Sequence, residues 1–145
     1  MTKKPSKKVN TPSDTKAPRG GAKVVGVPGE VASWHLGVID WEGPFGWGAC
    51  CLDTVWGDIL PRLASFETMR WSEIEGKQNH AIPVDEIAPE ARKRLAEIGQ
   101  SDVDELFSLR LQGRPRIWGI RDRHILKILW WDPDHRICPA PKKRT

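Results

Sequence analysis

The alternation of apolar and polar positions predicts a strand early in the chain and three strands near its end. The segment ASWHLGVID (32–40) mixes apolar and β-branched residues, as strands do. In ELFSLRLQGR, apolar Phe107, Leu109 and Leu111 alternate with polar residues, which indicates a half-buried strand. RIWGIRD and HILKILWW follow after short turns, so we expect an antiparallel meander. HILKILWW is almost continuously apolar, which is typical of a central strand covered on both faces.

Helical spacing of apolar residues predicts two helices between the first strand and the meander. In TVWGDILPRLASFETM the apolar residues recur at roughly helical spacing, and Pro61 suits the first turn of a helix. In PVDEIAPEARKRLAEIG, Pro89 begins the regular part and Gly99 ends it. One face of this second helix is formed by Ile87, Ala91, Leu95 and Ile98. The trio Arg92, Lys93 and Arg94 falls on the other face, which we expect to be solvated.

The remaining segments are rich in glycine, proline and polar residues and are predicted to be loops. We expect Trp41, Phe45 and Trp47, around the loop EGPFGWGACC, to cap the core, and EGKQNHAIP to be a second loop. The predicted fold class is therefore α+β, with two helices packed on one face of a small antiparallel sheet in the order β-α-α-β-β-β. A single domain would span residues 24–145.

Residues 1–23 contain mainly Lys, Pro, Ser, Thr and Gly, so they are predicted to form a disordered basic arm. Such an arm attracts nucleic acid or serves as a solubilising tail. No apolar run approaches the ~20 residues that a membrane span requires. We therefore expect a cytoplasmic protein with no membrane partner.

Charge divides the chain into three parts. Residues 1–23 carry seven Lys/Arg and one Asp, residues 24–105 carry six Lys/Arg and fifteen Asp/Glu, and residues 106–145 carry ten Lys/Arg and three Asp. A basic C-terminal part favours an anionic partner such as nucleic acid. The alternative is that the acidic and basic parts neutralise each other in the fold.

The cysteines indicate neither a disulfide framework nor a metal site. There are three, two of them adjacent (Cys50 and Cys51, with Cys138), and no CxxC pair occurs. We expect no metal and no other cofactor.

Arginines, aromatic residues and histidines interleave along residues 110–135. On an open sheet, such residues hold single-stranded RNA by pairing guanidinium groups with phosphates and stacking bases on rings. Strict alternation places Arg116 and Trp118 on one face of their strand, and Lys127 on one face with Trp131. The expected nucleic-acid-binding residues are Arg110, Arg114, Trp118, Arg123, Lys127 and Trp131.

The same segment also predicts a metal-independent endoribonuclease site. RNA is cleaved by its own 2′-hydroxyl when a general base, a general acid and cations are supplied. His124 and His135 are the acid/base candidates, and Arg116 and Arg121 would clamp the phosphate. The alternatives are that His135 is a turn residue held by Asp132 or Asp134, and that His124 only ends a hairpin.

The element order and the segment LRLQGRPRIWGIRDRHILKILWWDPDHR resemble the RelE/HigB/ParE superfamily of bacterial toxins. The resemblance covers residues ~31–139 by element order and 106–139 by motif. It implies cleavage of mRNA, usually on the ribosome, a cognate antitoxin partner and a cytoplasmic location. It assigns Arg116 and Arg121 to the arginines that open and close one strand, and Asp132 and His135 to the polar end of the last strand.

The chain differs from these toxins in having no tyrosine and in its acidic middle part. A second hypothesis comes from another class of protein. It is a non-catalytic module that binds nucleic acid, or that docks a protein through a tryptophan-rich surface.

Overall fold

The computed structural model describes residues 30–139, and the predicted basic arm lies outside these residues. These residues form five strands and four α-helical segments, and a π-helical turn (Val55–Ile59) joins the first two helices. Their order is β1 (Ser33–His35), α1 (Leu52–Thr54), α2 (Leu60–Phe66), α3 (Trp71–Ile74), β2 (His80–Pro83), α4 (Pro89–Glu97), β3 (Glu105–Arg110), β4 (Arg116–Asp122) and β5 (Ile125–Asp132). Short 3-10 turns lie at Trp47–Ala49 and Val84–Glu86.

The strands form one five-stranded sheet in the order β1-β5-β4-β3-β2, which confirms the α+β class. The meander of β3, β4 and β5 is antiparallel, as predicted. The sheet as a whole is mixed, because β1 pairs in parallel with β5. The first strand is also shorter than predicted, since its pairing with β5 ends at His35.

The segment predicted as the loop EGKQNHAIP contains strand β2, which pairs with the outer edge of β3. Asn79, whose side chain is buried, precedes the strand, and its side-chain amide takes the place of backbone pairing at that position. Its Nδ2 donates to Ile74 O at 3.0 Å, and its Oδ1 accepts from Arg110 N at 2.7 Å. Pro83 closes the strand at the sheet edge, where its missing N–H disturbs no ladder. A strand of four residues is too short to show an apolar alternation in the sequence.

Helices cover both faces of the sheet, whereas the sequence predicted them on one. Helices α2 and α3 pack on the first face, through Leu63, Phe66, Trp71 and Ile74. Helix α4 packs on the second face through Ala91 and Leu95, together with Phe45 and Ile137. Successive residues of β3 and β5 are buried, so each strand presents an apolar row to both layers.

Helix α4 confirms the predicted limits of the second helix. Pro89 occupies its first turn, and Gly99 follows its last turn with φ +78°. The bonds Gly99 N to Ala96 O and Gln100 N to Leu95 O close its C-terminus in the Schellman pattern. In the expected solvated trio, Arg92 and Lys93 are exposed, but Arg94 turns inward to the buried Asp40.

A β-bulge shifts the register between β4 and β5. Trp118 pairs with Trp130 while Gly119 pairs with Ile128, so Leu129 has no partner on β4. Leu129 and Trp130 consequently pack in the second core, and Trp131 packs in the first. The bulge overturns the expectation from strict alternation that Lys127 and Trp131 share a face.

Among the helices within residues 30–139, none is long and apolar enough to cross a membrane.

Candidate nucleic-acid interface

Three arginines and a histidine meet at one end of the sheet, which we call the basic end: Arg110, Arg114, Arg116 and His135. The antiparallel register places Arg110 opposite Arg116, and Arg116 opposite Asp132. Arg114 lies in the turn between β3 and β4, and His135 lies in the turn that follows β5. The basic end therefore combines two strand ends with two turns.

The β3–β4 turn is held by the arginines themselves. Gly113 has φ +79°, a conformation that favours glycine, and its carbonyl faces both strand ends. That oxygen accepts from Arg110 Nε at 2.9 Å and from Arg116 Nη1 at 2.8 Å. Arg116 Nη1 also donates to Arg114 O at 2.8 Å. The two guanidinium groups are thus fixed through one side, which leaves their remaining N–H groups for a ligand.

The buried carboxylate of Asp132 positions the turn that carries His135. Asp132 Oδ1 accepts from Arg136 N at 2.8 Å, and Oδ2 accepts from Ile137 N at 2.9 Å and from Trp118 Nε1 at 3.3 Å. The backbone of His135 has φ 56°, which turns the chain back toward these donors. The alternative that Asp132 holds this turn is therefore correct for its backbone.

The electrostatic environment keeps His135 uncharged near neutral pH. Burial, followed by the positive charge of Arg116, lowers the pKa of His135 below its ordinary value of 6.5, although Asp132 acts in the opposite direction. Burial and the charge of Arg110 likewise lower the pKa of Arg116, which remains a cation at neutral pH. A neutral imidazole therefore lies among guanidinium groups.

Within residues 30–139, the arginines of the basic end form no salt bridge. The cations of the β4–β5 hairpin, in contrast, lie beside carboxylates. Arg121 Nη1 is 2.9 Å from Glu75 Oε1, Arg123 Nε is 3.8 Å from Asp122 Oδ1, and Lys127 Nζ is 4.0 Å from Asp122 Oδ2. The acidic and basic parts of the chain thus neutralise each other partly. Arg121 pairs with Glu75 near the hairpin, and Arg136, which follows His135, has its Nη1 3.6 Å from Glu90 Oε1.

The expected site residues consequently do not converge. Arg121, Arg123, His124 and Lys127 lie toward the hairpin, at the opposite end of β4 from Arg116. Asp122 lies six positions after Arg116 on β4, which is about 20 Å at the rise of an extended chain. Arg116 and His135 come together, whereas Arg121 and His124 belong to another part of the surface.

Arg121 and His124 have contacts that account for them structurally. Arg121 lies over the Trp71 ring, 4.3 Å from its centroid, and its Nε donates to Arg123 O at 2.9 Å. The backbone carbonyl of His124 accepts from Trp71 Nε1 at 2.8 Å. His124 Nδ1 is 3.1 Å from Glu30 Oε1, but at an angle that forms no hydrogen bond. The alternative that His124 is a hairpin-end residue agrees with this position.

The two tryptophans expected to bind RNA are core residues. Trp118 is fully buried, and Trp131 is 7% exposed and stacks on Trp47 with 5.5 Å between ring centroids. Their ring faces are therefore covered, because helices lie on both sides of the sheet. Exposed indoles occur instead at Trp41 (65%) and Trp56 (69%), so Trp41 does not cap the core. Phe45 is buried and does cap the core, and Trp47 is partly buried against the first core.

Two residues whose side chains bond distant segments of the chain were not predicted from the sequence. Asp40 ends the segment expected to be a strand, and its carboxylate accepts from Arg94 Nε, Arg94 Nη2 and Trp130 Nε1 at 2.8–2.9 Å. Arg62, on α2, reaches the β3–β4 side of the sheet and donates from Nε to Arg110 O at 3.4 Å. Neither residue belongs to a motif, and only the distant segments they contact give them a role.

The part of the chain that the structure describes contains no group of three or more His, Cys, Asp or Glu side chains that could hold a metal ion. Comparison with protein-family models, with curated proteins and with solved structures finds no match to this chain.

Proposed function

We propose that the protein binds single-stranded RNA at the basic end and cleaves it without a metal ion, in the manner of a RelE-like toxin. The observation that carries the proposal is the cluster of Arg110, Arg114 and Arg116 without carboxylate partners in residues 30–139, beside a neutral His135. The toxin class further implies the ribosome as the place of action, a cognate antitoxin and a cytoplasmic location.

Guanidinium groups favour phosphates because their planar N–H groups donate to two oxygens at once. Arg110 and Arg116 are already fixed by Gly113 O, so they lose little side-chain freedom when a phosphate binds. Arg114 is exposed and extends the positive surface along the turn. Phosphate binding here also offsets the repulsion between neighbouring cations.

His135 is placed to act as the general base. Because its pKa is lowered, the imidazole is unprotonated at neutral pH and accepts the proton of a ribose 2′-hydroxyl. The 2′-oxygen then attacks the adjacent phosphorus, and the P–O5′ bond breaks. The products are a 2′,3′-cyclic phosphate and a 5′-hydroxyl, whose proton comes from solvent water. Arg116 stabilises the negative charge on the phosphoryl oxygens during this step.

His124 has no part in this reaction, because it lies near the opposite end of β4. Arg121 is likewise held by Glu75 and the Trp71 ring. The proposed site therefore retains Arg116 and His135 from the catalytic residues expected from sequence. It retains Arg110 and Arg114 from the expected RNA-binding residues.

End-labelled RNA incubated with the full chain in EDTA tests the activity. We expect fragments ending in 2′,3′-cyclic phosphate, no cleavage 3′ of a nucleotide that lacks its 2′-hydroxyl, and at least a hundredfold slower cleavage by His135→Ala. His124→Ala is the matched control and should cleave like wild type. Intact RNA after incubation with wild type would refute the nuclease activity and leave binding to be tested separately.

A second candidate function is protein docking through the α1–α2 region. Leu52, Trp56 and Leu60 are all exposed and recur every four residues, which forms an apolar stripe on the solvent side. Binding through such a stripe would depend little on salt, whereas RNA binding weakens steeply as salt rises. This function accounts for the exposure of Trp56, which RNA binding at the basic end does not use.

A further inference from the structure

A cavity of about 590 Å³ opens beside the basic end, between the α1–α2 helical run and the sheet. Leu111, Gln112 and Pro115 line it, and the same turn carries Arg114 and the ends of the strands that hold Arg110 and Arg116. Pro133, in the turn after β5 and two residues before His135, also lines it. The cavity and the basic end thus lie at the same end of the sheet.

We propose that this cavity takes one nucleobase of the bound RNA, and that guanine is the base it selects. The inference rests on the proposed RNA binding and adds a base preference to it. The volume lies within the roughly 300–1,000 Å³ of small-molecule sites, and leaves room for a base together with part of its ribose.

The apolar walls of the cavity suit a flat ring. Three prolines from separate segments, Pro61, Pro115 and Pro133, contribute rigid hydrocarbon surface. The accessible edge of Trp131 forms another wall, and stacking on Trp47 holds that indole in place. Rigid apolar surfaces bind a planar base at a low cost in conformational entropy.

The polar groups of the cavity distinguish one base from another. Asp58 and Arg62 both line it from the helical run, and within residues 30–139 neither forms a salt bridge. The Arg62 guanidinium carbon lies 4.5 Å from the Phe66 ring centroid, and its Nε donates to Arg110 O. Its terminal N–H groups remain for a ligand in the cavity, which the acceptor-only carboxylate of Asp58 also lines.

The Watson–Crick edge of guanine matches this pair. Guanine offers the acceptor O6 beside two donors, N1–H and the N2 amino group, so Arg62 donates to the first and Asp58 accepts from the others. Adenine places an unprotonated N1 where guanine has N1–H, and this nitrogen would face the carboxylate. Uracil and cytosine lack the second ring that reaches the prolines.

Fluorescence anisotropy with short oligonucleotides tests the preference on the full chain. The probes are 2′-fluoro heptamers of uridine with a central guanine, adenine, inosine or uracil, which carry no attacking hydroxyl. We expect the guanine probe to bind about tenfold or more tightly than the adenine probe. The inosine probe, which lacks the N2 amino group, should fall between them.

Asp58→Asn should abolish the difference between guanine and adenine probes. Asp53→Asn is the matched control, because Asp53 is an exposed acid on α1 outside the cavity, and its removal changes the charge equally. It should preserve the preference. Equal wild-type affinity for all four heptamers overturns the base site while RNA binding stands. Failure of every heptamer to bind at low salt overturns the proposed function itself.

Discussion

The indole N–H of Trp118 donates to the buried carboxylate of Asp132 across the β4–β5 ladder, at 3.3 Å. This bond connects the centre of the second core to the turn that positions His135, because the same carboxylate accepts from Arg136 N and Ile137 N. Trp118, which was expected to stack on RNA, is thus a core residue that helps to hold the carboxylate of Asp132 in place.

Asp132→Ala should destabilise the protein by about 3 kcal/mol, because three buried donors lose their acceptor. Urea unfolding followed by circular dichroism measures the change in the free energy of unfolding. Asp134→Ala is the control, since Asp134 is exposed in the same turn and should alter stability by less than about 0.5 kcal/mol. Equal effects of the two substitutions would show that Asp132 does not hold the turn.

Arg116→Gln should raise the pKa of His135, because burial and then the charge of Arg116 lower it in the wild type. An NMR titration of the His135 ring protons measures this directly. The wild-type midpoint should lie below 6.5, and the variant midpoint should be higher. Arg123→Gln, an equal charge change at the far hairpin, should leave the midpoint where it is. An equal midpoint in wild type and Arg116→Gln would show that the charge of Arg116 does not act on the His135 ring.

Asp40 should contribute stability that disappears in acid. Burial acts to raise its pKa, but hydrogen bonds from Arg94 and Trp130 lower it below the ordinary value of 3.8. A carboxyl with a depressed folded-state pKa stabilises the fold above its unfolded pKa, and this contribution is lost as pH falls through the folded value. Urea unfolding of wild type and Asp40→Asn should therefore differ at pH 7 and converge below pH 3.8. A difference that stays constant with pH would contradict this contribution.

Gly119→Ala should destabilise the sheet by roughly 1–3 kcal/mol, because an added Cβ would lie 2.5 Å from the backbone oxygen of Lys127 at the bulge. Gly76→Ala is the matched control, since an added Cβ there meets no atom within 4 Å. Thermal unfolding of both variants compares them. Similar melting temperatures would mean that the bulge does not require glycine.

The sequence predicts those elements whose signals are local. The meander shows apolar alternation, and α4 has proline and glycine at its two ends, so both were confirmed. Strand β2 was missed because it pairs with β3, and the side chain of Asn79 before it bonds Arg110 N, which is 31 residues away in sequence. The parallel pairing of β1 with β5 is equally non-local.

The candidate site was predicted only in part for a related reason. Sequence proximity grouped Arg116, Arg121, His124 and His135, but an extended strand carries its two ends far apart. Because β5 runs antiparallel to β4, His135, which follows the end of β5, lies near Arg116. His124, which precedes the start of β5, lies at the far end of β4. The apolar run HILKILWW already indicated a strand covered on both faces. The prediction of helices on one face only nevertheless led to the assignment of Trp118 and Trp131 to RNA binding, and both are buried.

RNA binding as a function of salt tests the central claim most directly. The logarithm of the association constant for single-stranded RNA should fall linearly with the logarithm of salt concentration, by about 0.7 for each phosphate contact. A variant with Arg110, Arg114 and Arg116 all changed to Gln should show a slope flatter by about 2. A control with Lys77, Lys93 and Arg123 changed to Gln removes equal charge from exposed positions elsewhere, and should keep the wild-type slope. An equal reduction of the slope in the two variants, or wild-type binding that does not depend on salt, would contradict the basic end as the RNA interface.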